Sequence, residues 1–167
     1  MMSRMTRVRY RMWQLWRALT GRLDAQERVF AAQILTPPEH RLYQAMPSYD
    51  QRHTMDVALL LGRLGVNDHS VLAMALLHDV GKLRDDGRPL GIGWYGVGVL
   101  TRPFPTLQSW LARWCEPLRR SIRHEQRSVA IALQGGARAT VVTSLQRLAA
   151  GEADSDLLLF RQADDQC

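Results

Sequence analysis

The chain is poor in the residues that staple, stiffen or divide a protein. Its 167 residues contain two cysteines, Cys115 and Cys167, too few for a disulfide framework and too far apart for a paired-cysteine zinc knuckle. A reducing compartment, the cytoplasm, is therefore expected. No apolar run approaches the ~18–20 residues that cross a bilayer. The basic N-terminus has no uninterrupted apolar core behind it, so no secretory signal is expected. No stretch sustains the alternation of a half-buried strand, no internal repeat appears, and no proline- or serine-rich linker divides the sequence. Acid is missing from residues 1–23, which hold Arg4, Arg7, Arg9, Arg11, Arg17 and Arg22. That segment accounts for the whole net charge of +6, and the rest balances its acids and bases. Lysine is also scarce: of 22 basic side chains Lys82 alone is not arginine.

What is present is ordinary globular material, 46% hydrophobic and 23% charged, in a length that suits one domain. Apolar residues recur at helical steps. Val8, Met12, Leu15, Trp16, Leu19 and Leu23 mark an amphipathic helix over residues 7–23. It either packs on the domain or uses its arginines, Trp13 and Trp16 to make a peripheral contact with anionic lipid or a partner. No groove-reading motif accompanies the basic segment, so sequence-specific nucleic-acid binding is not expected. A helix beginning at Asp24 or Ala25 follows, and Thr36-Pro37-Pro38-Glu39 breaks it, with a threonine cap and proline in the first turn of the next helix, which runs through His40 to Met46. A long helix opens at Tyr49 and closes at Gly65, with His53 in its first turns.

Asp68-His69-Ser70 caps the next helix, which runs through an apolar stretch from Val71 to Leu77 into His78-Asp79, with Gly81 supplying the C-terminal turn. His69 belongs to that cap and His40 to a solvated first turn. Residues 84–106 are irregular. They contain a literal GxGxxG at residues 91–96, but no strand precedes it, so it carries no dinucleotide reading. Later helices cover 107–118 (with Trp110 and Trp114 expected in the core), 121–133, 139–148 and a last stretch holding Leu157 to Phe160. The expectation is a single all-α domain.

An imidazole and a carboxylate at the end of a greasy helix are costly to bury unless something satisfies both. A divalent metal does so, because both are ordinary ligands. The order of His53, then His78-Asp79 in "LLHDVGK", then a late Asp164 after "LLLFRQA" resembles the HD superfamily of metal-dependent phosphohydrolases. "AMPSYDQRHTMDVALLL" is similar to that family's first-histidine helix, and "RHEQRSVAIALQGG" to its later histidine-bearing helix. The likeness covers roughly residues 37 to 167, and residues 7–35 resemble the leading helices of small bacterial HD-domain proteins. On that division residues 1–36 are N-terminal helices packed on or leading into an HD domain of residues 37–167.

The resemblance implies that His53, His78, Asp79 and Asp164 hold one divalent ion (manganese, iron, magnesium, cobalt or zinc) and that the chain hydrolyses a small phosphate ester, a nucleotide among the options. Asp79 would hold the metal and orient the attacking water. Lys82 reads either as a phosphate contact and catalytic cation or as a lysine favoured by a helix C-terminus. Arg84, Arg88, Arg123 and Arg127 are further anion-binding candidates. Two-metal HD enzymes use two more histidines before the last aspartate. His124 stands where the first falls, and reads as a ligand, a substrate contact, a general acid or a surface residue. Residues 141–146 hold none, so one metal is expected. The departure leaves a second class open, a non-catalytic HD module that binds metal or nucleotide in a regulatory role. Asp165 is the alternative to Asp164.

Overall fold

The computed structural model describes residues 21–83, 110, 113–115 and 124–167. Within them the chain forms seven α-helices, one 3-10 turn and no strand. The expected helix over residues 7–23 lies almost wholly outside the described residues, and so do Arg84, Arg88, Arg123 and the irregular segment 84–106.

Helix α1 spans Ala25–Ile34. Asp24 Oδ1 accepts from the backbone N–H of Glu27, and Glu27 Oε2 accepts from the Asp24 N–H, which satisfies donors that a helix start leaves over. Helix α2 spans Pro37–Ala45, with proline in its first turn. Thr36 takes the N-cap position and proline the first turn, both as expected from sequence. The breaker carries a second role, because the Glu39 side chain is fully buried. It accepts from the Thr36 N–H at 2.8 Å and from Nε, Nη2 and the backbone N–H of Arg138, each at 2.9 Å. This ties α2 to the start of a helix a hundred residues later. Burial opposes the Glu39 charge, and Arg138 nevertheless holds its carboxyl below the usual range.

Helix α3 spans Ser48–Arg63 and ends where Gly65 turns back at φ 92°, a conformation glycine adopts without strain. Helix α4 spans His69–Leu77, capped by Asp68, whose side chain accepts from the Ser70 N–H. Every residue from Val71 to Leu77 is buried. That follows from its place: α1, α2, α3 and α6 (Ala139–Ala149) all pack against it. A helix surrounded on all sides must be apolar all round, as this run is. Each large side chain so buried contributes about 1.5–3 kcal/mol.

After α4 the chain makes a 3-10 turn at Val80–Lys82, which packs on α5 (His124–Gln134). Helix α6 buries Val141, Val142, Leu145 and Leu148 against α4 and α5. Helix α7 spans Ser155–Gln166, is capped by Asp154, and lies along α3 with Leu157, Phe160 and Ala163 buried. Two tryptophans depart from expectation. Trp110 and Trp114 are 60% and 80% exposed, not in the core. Their spacing marks one helix face, but spacing alone does not say whether that face turns inward. Among the described residues no helix is long and apolar enough to cross a membrane.

Candidate metal centre

Three of the expected ligands sit at helix ends or first turns that meet around α4. His53 lies in the second turn of α3. His78 follows the last residue of α4 while keeping helical angles. Asp79 then leaves the helix at φ −96° and ψ 0°, in the bridge region, and this bend turns its carboxylate into the site. Asp164 comes from α7. It shares a face with Leu157 and Phe160, seven and four residues back, so burial of that face aims Asp164 inward while Asp165 is exposed.

The polar atoms converge. His53 Nε2 stands 3.0 Å from Asp164 Oδ1 and 3.8 Å from Asp79 Oδ2. His78 Nε2 stands 3.5 Å from Asp79 Oδ1 and 3.4 Å from Asp164 Oδ1. One ligand atom each from His53, His78 and Asp79 lies within 4.8 Å of the others, so these three residues can hold a metal ion. Ligands ~2.0–2.2 Å from a common ion are themselves ~3–4 Å apart, and these separations match that requirement.

The orientation of His78 fits the same use. Its Nδ1 lies 2.7 Å from the carbonyl oxygen of Ala75, which can only accept, so Nδ1 carries the proton and Nε2 faces the carboxylates. Its ring also packs edge-on against Phe160, with centroids 5.0 Å apart. Burial disfavours a charge on His78, but the Asp79 carboxylate, with Asp164 behind it, raises its pKa to about 9. Asp79 and Asp164 move the other way. Burial opposes their ionisation, yet His78, Lys82 and the neighbouring imidazoles hold Asp79 well below the ordinary carboxylate range, and hydrogen bonds to His53 and His78 do the same for Asp164. The cluster is a field built for positive charge.

His124 and Lys82 belong to it. His124 Nε2 is 3.4 Å from Asp79 Oδ1, and Lys82 Nζ pairs with Asp79 Oδ2. Burial disfavours the Lys82 ammonium, but Asp79 and Asp50 raise its pKa above the usual value. The side chains grade from 1% exposed at Asp79 to 23% at His53 and His124 and 38% at Asp164, so the site opens on the side of the last three. Arg127 uses its guanidinium differently: Nε and Nη2 donate to the carbonyls of Gly81 and Leu83, each at 3.0 Å, and so hold the turn that carries Lys82.

Sequence reasoning missed Ser128 and Asp50. The fully buried Ser128 hydroxyl accepts from the Gly81 N–H and donates to the His78 carbonyl, which stitches the His78–Gly81 segment to α5. Asp50 lies 3.9 Å from Lys82 Nζ and is 3% exposed. It precedes His53 by one helical turn, the one signal that could have found it. The role expected of Gly81 is corrected. Its φ is not positive, and it gives no left-handed turn. It is glycine because α5 comes too close: a Cβ there would overlap the His124 carbonyl oxygen and stand 2.6 Å from Ser128 N. Both neighbours are backbone and cannot swing aside. Gly81→Ala is expected to lower stability by ~1–3 kcal/mol and to push His124 away from Asp79. Urea unfolding measures the first and metal affinity the second; a variant equal to wild type in both would contradict this packing.

No protein-family model, curated protein or solved structure matches this chain, so the reading of the site rests on its own residues.

Proposed function

We propose that this chain is an HD-type phosphohydrolase of the cytoplasm that uses one divalent ion to hydrolyse a small phosphate ester, with a nucleotide as one such substrate. The observation that supports it most is the meeting of His53 and Asp164 across 111 positions, beside the adjacent pair His78-Asp79. Four residues of two ligand types, delivered by three helices in the order the resemblance requires, are a far narrower coincidence than any one of them.

In this reading His53, His78, Asp79 and Asp164 hold the ion, and the mixed nitrogen and oxygen set suits manganese, iron, cobalt, magnesium or zinc. The ion supplies Lewis acidity and makes a bound water acidic enough to ionise near neutral pH. The protein's own groups do the rest. Asp79, anchored through Oδ2 by Lys82, keeps the ligand set rigid. Lys82 places a fixed positive charge beside the site, where it offsets charge developing on a phosphate. His124, beside Asp79 and more open to solvent, is placed to protonate a departing oxygen. Ser128 and Arg127 act as positioning residues through their bonds to the backbone that carries these groups.

Elemental analysis combined with a phosphate-release screen tests the proposal. Purified protein is assayed over nucleotides and phosphomonoesters with manganese, cobalt, iron and magnesium, against Asp79→Ala. The expected result is about one metal per chain and release from at least one ester, lost in the variant. Wild-type protein that binds no metal overturns the site. Metal without release from any ester assigns the chain to the other class, a metal- or nucleotide-binding module.

A further inference from the structure

Helices α1 and α2 and the first turn of α3 border a cavity of about 460 Å³, a size that small-molecule sites commonly have. It lies across α3 from the metal centre. Gln51 lines the cavity and His53 the centre, and two residues along a helix are turned by about 200° from one another. The floor is apolar. Ala31 and Tyr43 are buried there, and the Tyr43 hydroxyl is already used, donating to the Gln51 carbonyl at 2.9 Å. Leu23 and Ala32 extend the floor, and Val29 stands at its edge, 56% exposed. The mouth is basic. Arg22 and Arg28 are exposed, and His40, expected in a solvated first turn, is half-buried. Arg28 Nη1 donates to the Leu23 carbonyl at 2.8 Å, which holds that guanidinium at the rim. Among the described residues no carboxylate lines the cavity.

We propose that this cavity is a second binding site, for a small molecule with an apolar body and one oxyanion group. The body displaces water from the Tyr43 ring, Leu23 and the alanines, while Arg22, Arg28 and His40 surround the anion with hydrogen-bond donors. Guanidinium forks are the side chains best matched to an oxyanion, because they give it two parallel bonds. The start of α3 favours the same charge. Its N-cap is Pro47, which supplies no side-chain acceptor, and the acid of its first turn, Asp50, lies toward Lys82. Ser48, the first residue of the helix, lines the cavity, so the positive end of the α3 dipole is presented there. A neutral ligand of the same shape would gain the floor and forfeit every one of these donors. The two sites therefore select opposite charges from opposite sides of one helix: carboxylates gather a cation around His53, and arginines gather an anion beside Gln51. The inference is independent of the metal reading.

Fluorescence titration of the full chain tests this, with a chelator present so that no bound ion can hold the anion. The probes are anilinonaphthalene sulfonate and phenylnaphthylamine, which share an aromatic body and differ by the sulfonate. The expected result is one sulfonate probe per chain, bound ~10–100-fold more tightly than the neutral one, the range that a hydrogen bond to a charged group provides. Arg22→Gln/Arg28→Gln should bring the two affinities together. Ala32→Trp, which fills the cavity from an exposed helix position, should abolish binding of both. No saturable binding overturns the inference, and so does equal affinity of wild type for the two probes. Binding that survives Ala32→Trp in a cooperatively melting variant puts the probe elsewhere, on the exposed Trp110 and Trp114 for example, and overturns it too. Should Ala32→Trp lack a cooperative melt, Ala32→Leu fills the same space with less volume and is judged by the same outcomes. Metal content enters none of these results, so a failure of the metal reading and a failure of this inference are distinct.

Discussion

Asp79→Ala is expected to empty the site of metal and, separately, to weaken the metal-free fold. Asp79 is 1% exposed and serves two sets of partners at once. As a ligand its loss is expected to lower metal retention by more than ~100-fold, since even groups that merely orient a ligand are worth ~10–100-fold. As a buried anion it holds Lys82 directly, with Asp50 the next carboxylate at 3.9 Å, and it is the largest electrostatic support for the charge on His78. Breaking a buried ion pair by removing one partner costs about 3–5 kcal/mol. Lys82 keeps 16% of its side chain exposed and can recover some hydration, which puts the expected loss near the lower end. Urea unfolding in the presence of a chelator isolates this second effect, because metal binding to the folded state would otherwise add its own stabilisation. A variant that keeps wild-type metal content would remove Asp79 from the ligand set. An unchanged urea midpoint would show that the Lys82 pair contributes nothing.

The same residues explain how much of the molecule is legible in the sequence alone. His78-Asp79 stood out because a buried helix is apolar all round and two polar groups at its end demand a partner. The choice of Asp164 over Asp165 rests on a buried face of Leu157, Leu158, Phe160 and Ala163 and on the resemblance of the ending after Ala163; Leu157, Phe160 and Ala163 are buried, while Leu158 is exposed. Both inferences use helical periodicity within a dozen residues, and there the sequence is informative. The misread features all depend on chain segments that meet from afar. Gly81 looked like a helix stop, and its actual constraint is the backbone of α5, whose Ser128 bonds to it across 47 positions. Glu39 looked like part of a proline breaker, and it is a fully buried carboxylate held by Arg138, 99 positions away. Asp50 had no visible role, because nothing local announces that Lys82 will turn toward it. Trp110 and Trp114 show the converse limit. An apolar stripe names a face, but only the assembled fold says what covers it.

Metal affinity and metal-free stability are expected to run in opposite directions as pH rises from 7 to 9, and His78 is the cause. Its pKa is about 9 in the folded chain against 6.5 for an unperturbed histidine. Below pH 6.5 the ring is protonated whether the chain is folded or not, and the attraction of Asp79 and Asp164 stabilises the fold in full. Above that, the unfolded chain no longer carries the proton and the folded one still does, so the contribution declines until it is lost as pH passes about 9. The raised pKa corresponds to ~3 kcal/mol. Metal binding reverses the direction, because a ligand needs the Nε2 lone pair that the proton occupies. Each ion bound displaces that proton, so affinity is expected to rise ~10-fold per pH unit through this window and to level off above about pH 9. Asp79 and Asp164, both held below the ordinary carboxylate range, stay ionised throughout and add no slope. Chelator-competition titrations at several pH values measure the affinity, and urea midpoints with excess chelator measure the stability. An affinity that is flat between pH 7 and 9 would mean that His78 binds no metal through Nε2. A metal-free stability that climbs over the same range would mean that the carboxylates do not hold its proton.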